Sequence, residues 1–140
     1  MATRRFVGVL SVIGLLANLA SCSSTPASGV SSASLAGKTF VSTSVTGHTL
    51  AAGSTVTLTF EGPILAASAG CNTMSAAYAA DNSTLRWTGP PRSTLIGCEP
   101  APAAQDQWLA SFLQTGAAAL LTGQQLSLTS NSITMKLAAK

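Results

Sequence analysis

Two short stretches decide how this chain folds: Ala69-Gly70-Cys71-Asn72-Thr73 and Thr94-Leu95-Ile96-Gly97-Cys98. Each places a cysteine in a turn that lies beside apolar sequence of the kind found in β-strands. If the two cysteines meet, they fasten the middle of the domain to a later strand or turn. These two turns are therefore expected to lie at the centre of the folded domain.

The N-terminus has the layout of a bacterial lipoprotein signal peptide. Arg4-Arg5 form a basic region, Phe6 to Leu16 are apolar, and Leu19-Ala20-Ser21-Cys22 fits a lipobox ending in the acylated cysteine. The apolar run is too short to span a bilayer, which favours cleavage over an N-terminal apolar helix of a soluble chain. Residues 1–21 are predicted to be removed, with palmitate-type lipidation of Cys22 holding the protein on the extracytoplasmic face of the cell membrane.

The net charge of +3 depends on this segment. After cleavage at Cys22 the basic and acidic residues nearly balance, at five against four. They are Lys38, Arg86, Arg92, Lys136 and Lys140 against Glu61, Asp81, Glu99 and Asp106. The basic composition therefore gives no indication of a nucleic-acid partner.

The cysteine count is odd, which needs an explanation in an exported protein. Cys22 is assigned to the lipid, which leaves Cys71 and Cys98 as a pair in an oxidising compartment. A disulfide between them is predicted, with two buried free thiols as the alternative. Closing a loop of this length stabilises a small domain by about 3.5 kcal/mol in the chain-entropy description.

The chain after Cys22 begins with a Ser-rich segment, residues 22–34, which predicts a flexible tether. From Thr39 onward the apolar residues alternate with polar ones, as in half-buried antiparallel strands. Turn residues such as Gly62-Pro63 and Ser130-Asn131 separate them. The predicted strands cover residues 39–45, 55–60, 64–68, 75–79, 84–88, 120–123, 125–129 and 132–137.

In one segment the spacing of the apolar residues changes from the alternation of a strand to the spacing of a helix. This change predicts a helix over Ala103–Thr115. Trp108, Leu109, Phe112 and Leu113 form an apolar stripe on one face of it. Many short strands with one helix indicate an α+β fold, with a curved antiparallel β-sheet or part-closed barrel packed against the main α-helix.

Gly70-Cys71-Asn72 followed by Thr94-x-x-x-Cys98 resembles the core signature of the META domain family, the HslJ-like lipoproteins. The resemblance covers residues 35–140. It includes Leu35-x-Gly37, Leu58-Thr59-Phe60, Tyr78 and Leu126-Ser127-Leu128. The chain departs from the family pattern at two positions: Phe40 stands where an aromatic residue, often Trp, is usual, and Met74 stands where an aromatic residue is expected. The resemblance implies the same fold and links to the envelope and to stress, but no settled activity.

The sequence offers little for catalysis. His48, the single histidine, follows a glycine in a predicted loop, and its spacing suggests no nucleophile or carboxylate partner. The four carboxylates Glu61, Asp81, Glu99 and Asp106 are scattered. A glycosidase-like pair among them stays an alternative to roles in solubility and capping. No catalytic residue, metal site or cofactor is predicted, and the protein is not expected to be an enzyme.

A membrane-anchored binding or envelope-support module is the function that these observations favour. Its partners would be the membrane, through Cys22, and an unknown envelope protein or small apolar ligand. An exposed apolar patch would favour an interaction module, and an enclosed apolar pocket would favour a carrier. A rigid exposed loop, around Gly89-Pro90-Pro91-Arg92, would favour an inhibitor of an extracellular or cell-wall enzyme.

Overall fold

Eight antiparallel strands close into a barrel in the computed structural model, which describes residues 28–140. The ten strands are β1 (Ser28–Gly29), β2 (Thr39–Thr46), β3 (Thr57–Glu61), β4 (Ile64–Ser68), β5 (Thr73–Asp81), β6 (Thr84–Trp87), β7 (Arg92–Ser93), β8 (Ala117–Thr122), β9 (Gln125–Ser130) and β10 (Ile133–Ala139). The helices are α1 (Ser32–Leu35) and α2 (Pro100–Thr115). Around the barrel the order is β8-β6-β5-β4-β3-β2-β10-β9, and β9 pairs again with β8. The predicted α+β fold with a barrel is confirmed, and this barrel is closed.

The barrel interior is filled with side chains because most strands alternate between buried and more exposed positions. In β5 the buried residues include Met74, Ala76, Tyr78 and Ala80. The Phe60 ring lies edge-on against Tyr78 at 5.2 Å between centroids. Small residues opposite large ones let a barrel of eight strands fill its own centre. The interior is thus a packed core.

Helix α2 closes one end of the barrel. Its residues Leu109, Phe112 and Leu113 are buried in the same core cluster as the inward-facing strand residues. The helix begins at Pro100, three residues before the predicted start. Pro100 and Pro102 fit there because the first N–H groups of a helix have no partner within it.

Residues 28–34 differ from the predicted flexible tether, because they are part of the fold. Strand β1 pairs with β8, and Ser31 and Ser34 form a reciprocal capping box at the start of α1. The buried side chains of Val30 and Leu35 join the core. Two apolar contacts are too few to give a sequence period, so composition alone indicated a linker. The remainder of the tether, the signal peptide and Cys22 lie outside the described residues.

Within residues 28–140, no helix combines the length and apolar character needed to cross a membrane.

Candidate functional site

The structure joins Cys71 and Cys98 in a disulfide at the end of the barrel that α2 covers. Their Cα atoms are 6.1 Å apart, within the usual range for a disulfide. Cys71 lies between β4 and β5, and Cys98 lies just before α2. The bond therefore connects the β4–β5 turn to the segment that leads into the helix.

Asn72 is the centre of the hydrogen bonds around this disulfide. Its Oδ1 accepts from Thr94 Oγ1 and from the Ile96 backbone N–H, both at 2.9 Å. Its Nδ2 donates to Asp106 Oδ2 at 3.2 Å and lies 3.4 Å from Cys98 Sγ. The Asn72 side chain thus holds the 94–98 segment against the start of α2.

Two buried polar residues of α2 fix the neighbouring turns. Gln105 Oε1 accepts from the Ala51 backbone N–H at 2.6 Å, and its Nε2 donates to the Ala69 carbonyl. Asp106 Oδ2 accepts from the Asn72 backbone N–H at 2.9 Å. Sequence reasoning missed Gln105 and treated Asp106 as a surface carboxylate. A signal was present, since positions 105 and 106 precede Leu109 by four and three residues and so share its buried face.

Gly70 is required by the close approach of the β4–β5 turn to its neighbours. Its φ of +126° belongs to the region that favours glycine. A Cβ atom here would lie 2.9 Å from Ser54 Oγ. The glycine of the Gly70-Cys71-Asn72 motif thus has a steric reason, beside the covalent role of Cys71 and the hydrogen bonds of Asn72.

The segment between Thr94 and Cys98 exposes two large apolar side chains. Leu95 is 97% exposed and Ile96 is 59% exposed. The segment is nevertheless fixed, because Thr94 and Thr73 exchange two hydrogen bonds of 3.0 and 3.1 Å, in addition to the Asn72 contacts and the disulfide. We call residues 94–97 the apolar loop. A fixed loop that presents unburied Leu and Ile to solvent is unusual for a surface without a partner.

The structure places His48 apart from the exposed carboxylates of Glu61 and Asp81. The imidazole of His48 stacks on the indole of Trp108 with centroids 3.9 Å apart and planes 3° apart. Trp108 is only half-buried, so it lies at the edge of the predicted stripe. Glu61 and Asp81 are the exposed last residues of β3 and β5, at the other end of the barrel, away from α2. The His48 side chain is thus half-buried against an aromatic residue.

Three side chains with metal-ligand chemistry do come together, namely Cys71, Cys98 and Asp106. One atom from each lies within 4.8 Å of the others. In this structure the two sulfurs are bonded to each other, and a disulfide sulfur lacks the thiolate charge that metal coordination by cysteine requires. The cluster is therefore described as a disulfide beside a buried carboxylate.

An open, mostly polar cavity of about 580 Å³ lies beside Cys71. It is lined by Ala52, Gly53, Ser54, Thr55, Thr57, Ser68, Gly70, Cys71, Thr73 and Pro102. The cavity gives solvent access to the Cys71 side of the disulfide. A second open cavity, of about 170 Å³, lies between Trp108 and the β9–β10 turn.

Comparison with known proteins identifies the family of this barrel. The sequence profile described as META domain matches residues 33–140. The chain belongs to the META domain family. The matched region begins inside α1, so the family domain includes the first helix of this structure as well as the barrel. No curated protein sequence matches the chain significantly.

Two solved structures have a similar fold. One NMR structure has a TM-score of 0.63 at 25% identity, covering 78% of this chain and 94% of that chain. An NMR structure of a protein from Burkholderia xenovorans has a TM-score of 0.61 at 19% identity, covering 78% of this chain and 86% of that one. Together they show that the barrel closed by a helix recurs in separate chains.

Proposed function

We propose that this META domain is the exported part of a lipoprotein anchored through Cys22, and that it binds an envelope protein through the apolar loop without catalysis. The observation that supports this proposal most directly is the near-complete exposure of Leu95 on a fixed loop. The lipobox of the sequence supports export and anchoring. The envelope location follows from that anchor, and a link to stress follows from the resemblance to HslJ-like lipoproteins.

The fixed conformation of the apolar loop supports a binding role. A flexible loop loses conformational entropy when a partner immobilises it, and that loss weakens binding. Here the disulfide, Asn72 and Thr94 have already restrained the backbone. Leu95 and Ile96 can therefore enter an apolar pocket of the partner as two anchoring side chains. Little of the free energy gained by burying them is lost in ordering the loop.

The other features of the domain favour binding over transport or catalysis. Phe40, Phe60, Tyr78 and Trp87 fill the barrel interior, where a carrier would need room for its apolar ligand. The exposed carboxylates of Glu61 and Asp81 lie at the end of the barrel opposite α2. His48 is stacked on Trp108. Among residues 28–140, the side chains of His48, Glu61 and Asp81 have no hydrogen-bond partner that could act with them in acid–base chemistry.

Inhibition of an extracellular or cell-wall enzyme is a second candidate. The segment Gly89-Pro90-Pro91-Arg92 leads directly into the apolar loop, and Arg92 pairs with Ser75 of β5. This pairing restrains the segment beside the apolar loop, and a restrained surface segment can occupy an enzyme cleft. The two candidates share a surface and differ in whether the partner is an enzyme that loses activity.

Site-specific photocrosslinking in cells that produce the protein tests the proposal. A photoreactive residue at position 95 is expected to give one discrete covalent adduct, and adduct formation should fall at least about tenfold when Ile96→Ser is added. The control position is 120, because Leu120 is 44% exposed on β8, away from the apolar loop. Neither position contributes to the core, so export and thermal stability should match wild type.

Equal adducts from positions 95 and 120, or none from position 95, would contradict a binding role for the apolar loop. Identification of the crosslinked protein separates the two candidates. An enzyme whose activity falls on adding purified domain, and recovers with the Leu95→Ser/Ile96→Ser variant, would favour inhibition.

A further inference from the structure

We propose that the partner of the apolar loop presents an extended polypeptide segment, which pairs with residues 93–97 as an added β-strand. This inference rests on the proposed binding function and names the kind of partner segment that the surface fits. We call residues 93–97 the edge segment. Its continuity with β7, the direction of its backbone N–H groups and its lack of charge and proline support the pairing.

The edge segment continues the line of β7 along the start of β5. Thr94, the residue after β7, donates its backbone N–H to the Thr73 carbonyl at 3.0 Å. One step further, the Ile96 backbone N–H donates to Asn72 Oδ1 at 2.9 Å, so a side chain takes the place of a strand carbonyl as acceptor. The disulfide then holds the chain just after the segment. The domain thus fixes one side of the edge segment and leaves the other side to solvent.

The backbone N–H groups of the edge segment alternate between the domain and solvent. Those of Thr94 and Ile96 point inward to their acceptors, and in an extended chain the groups between them point the opposite way. Within residues 28–140, the backbone N–H groups of Leu95 and Gly97 have no hydrogen-bond partner. Donors that repeat about every 6.8 Å along one side of a chain match the carbonyl groups of a second extended backbone.

The edge segment also lacks the residues by which native sheets prevent unwanted pairing. Charged side chains and prolines commonly protect an exposed strand edge. Residues 93–97 contain neither, although Pro90-Pro91 precede them and Glu99-Pro100 follow. The two large apolar side chains of the segment, Leu95 and Ile96, are 97% and 59% exposed. An added strand would pair with the backbone and cover both side chains.

The chemistry of this edge specifies the partner segment. The segment must be extended, with free backbone N–H and C=O groups along one side. Adjacent side chains of a strand lie on opposite faces, so two adjacent apolar residues of the partner are needed to cover Leu95 and Ile96. Backbone pairing provides affinity, and the apolar pair provides selection among sequences. A helical segment does not fit, because its backbone groups bond to one another.

Proline substitution in the edge segment, combined with the photoreactive residue at position 95, tests the proposal. Gly97→Pro removes one outward N–H and places a ring on the pairing edge, whereas Gly97→Ala keeps the N–H. A Cβ atom at Gly97 meets no heavy atom within 4 Å apart from its chain neighbours, so the alanine control introduces no clash. Adduct formation should fall at least about tenfold in Gly97→Pro and stay at the wild-type level in Gly97→Ala.

A second pair of variants, Ser93→Pro and Ser93→Ala, repeats the comparison at the other end of the edge segment. The alternation places the Ser93 N–H outward, so proline there removes no bond to β5. Amide hydrogen exchange of the peptide that spans residues 93–97 should also slow at least about tenfold in the purified adduct. Thermal unfolding of each variant checks that the fold is kept, and where one proline variant unfolds at a lower temperature the other decides.

The outcomes separate this proposal from the binding role on which it rests. Adducts that form equally in the proline and alanine variants, or unchanged hydrogen exchange in the adduct, would overturn strand addition and leave binding by the apolar loop standing. No adduct from position 95 in any variant would overturn the binding role itself. An adduct to a second copy of this chain would overturn the assignment of the added strand to a different protein.

Discussion

At the scale of single residues, Asn72 shows how far the sequence leads. Its position in the Gly70-Cys71-Asn72 turn was predictable, because asparagine is common where backbone must be bonded in a tight turn. Its partners were not, because Thr94 and Ile96 are 22 and 24 residues away and become neighbours only after the chain folds back. The turn propensity of a residue describes its immediate backbone. It carries no information on hydrogen bonds to residues far away in the sequence.

Removing the Asn72 side chain is expected to destabilise the domain by about 2–3 kcal/mol. The Asn72→Ala variant leaves the Ile96 N–H and Asp106 Oδ2 without one of their partners in a partly buried place. Urea unfolding of the oxidised protein measures the free energy directly. Gln114→Ala, at an exposed position of α2, should change it by less than about 0.5 kcal/mol. An Asn72→Ala value as small as the control would show that the disulfide alone holds the segment.

At the scale of elements, the period of apolar residues predicted most strands and the helix. Strand β4 was predicted with its observed bounds, and β9 differs by one residue at its end. Strand β1 and helix α1 were missed because Ser28–Leu35 has the composition of a linker and contacts the core through only Val30 and Leu35. Short elements that depend on a few tertiary contacts leave no periodic signal.

The orientation of α2 gives a prediction at this scale. Leu109 lies on the fully buried face of the helix. Leu109→Ala should therefore lower the free energy of unfolding by about 2–5 kcal/mol, because apolar burial is lost and a cavity is left. Gln107 is exposed, and Gln107→Ala should cost less than about 0.5 kcal/mol. Trp108→Ala should fall between them, because its indole is half-buried against His48. Thermal or urea unfolding of the three variants checks the order. Similar losses for Leu109→Ala and Gln107→Ala would mean that the helix is rotated relative to this structure.

At the scale of the whole molecule, closure of the barrel could not be predicted from the sequence. It depends on β10 pairing with β2, which brings Ala139 beside Phe40, and on β8 pairing with both β6 and β9. Alternating apolar residues specify which face of a strand is buried, but they leave the choice of partner open. The META resemblance indicated a barrel, and the pairing of β8 with β9 completes it.

The folded state of residues 28–34 also bears on the proposed lipid anchor. Only residues 23–27 separate Cys22 from β1, so acylation of Cys22 would hold the nearest part of the barrel within about 20 Å of the anchor. A flexible segment extending to residue 34 would impose a much looser constraint. The proposed anchor would therefore restrict the domain to partners in or near the same membrane.

We predict that wild-type protein is cleaved before Cys22 and carries acyl chains on that residue. The Cys22→Ser variant should keep its signal peptide, since lipobox processing requires the cysteine. Intact-mass measurement of the membrane fraction checks both statements. The Cys71→Ser/Cys98→Ser double variant is the control: it removes the other two cysteines and should still be acylated, because the disulfide takes no part in processing. Wild type without acyl mass on Cys22, or a Cys22→Ser variant processed like wild type, would contradict the anchor.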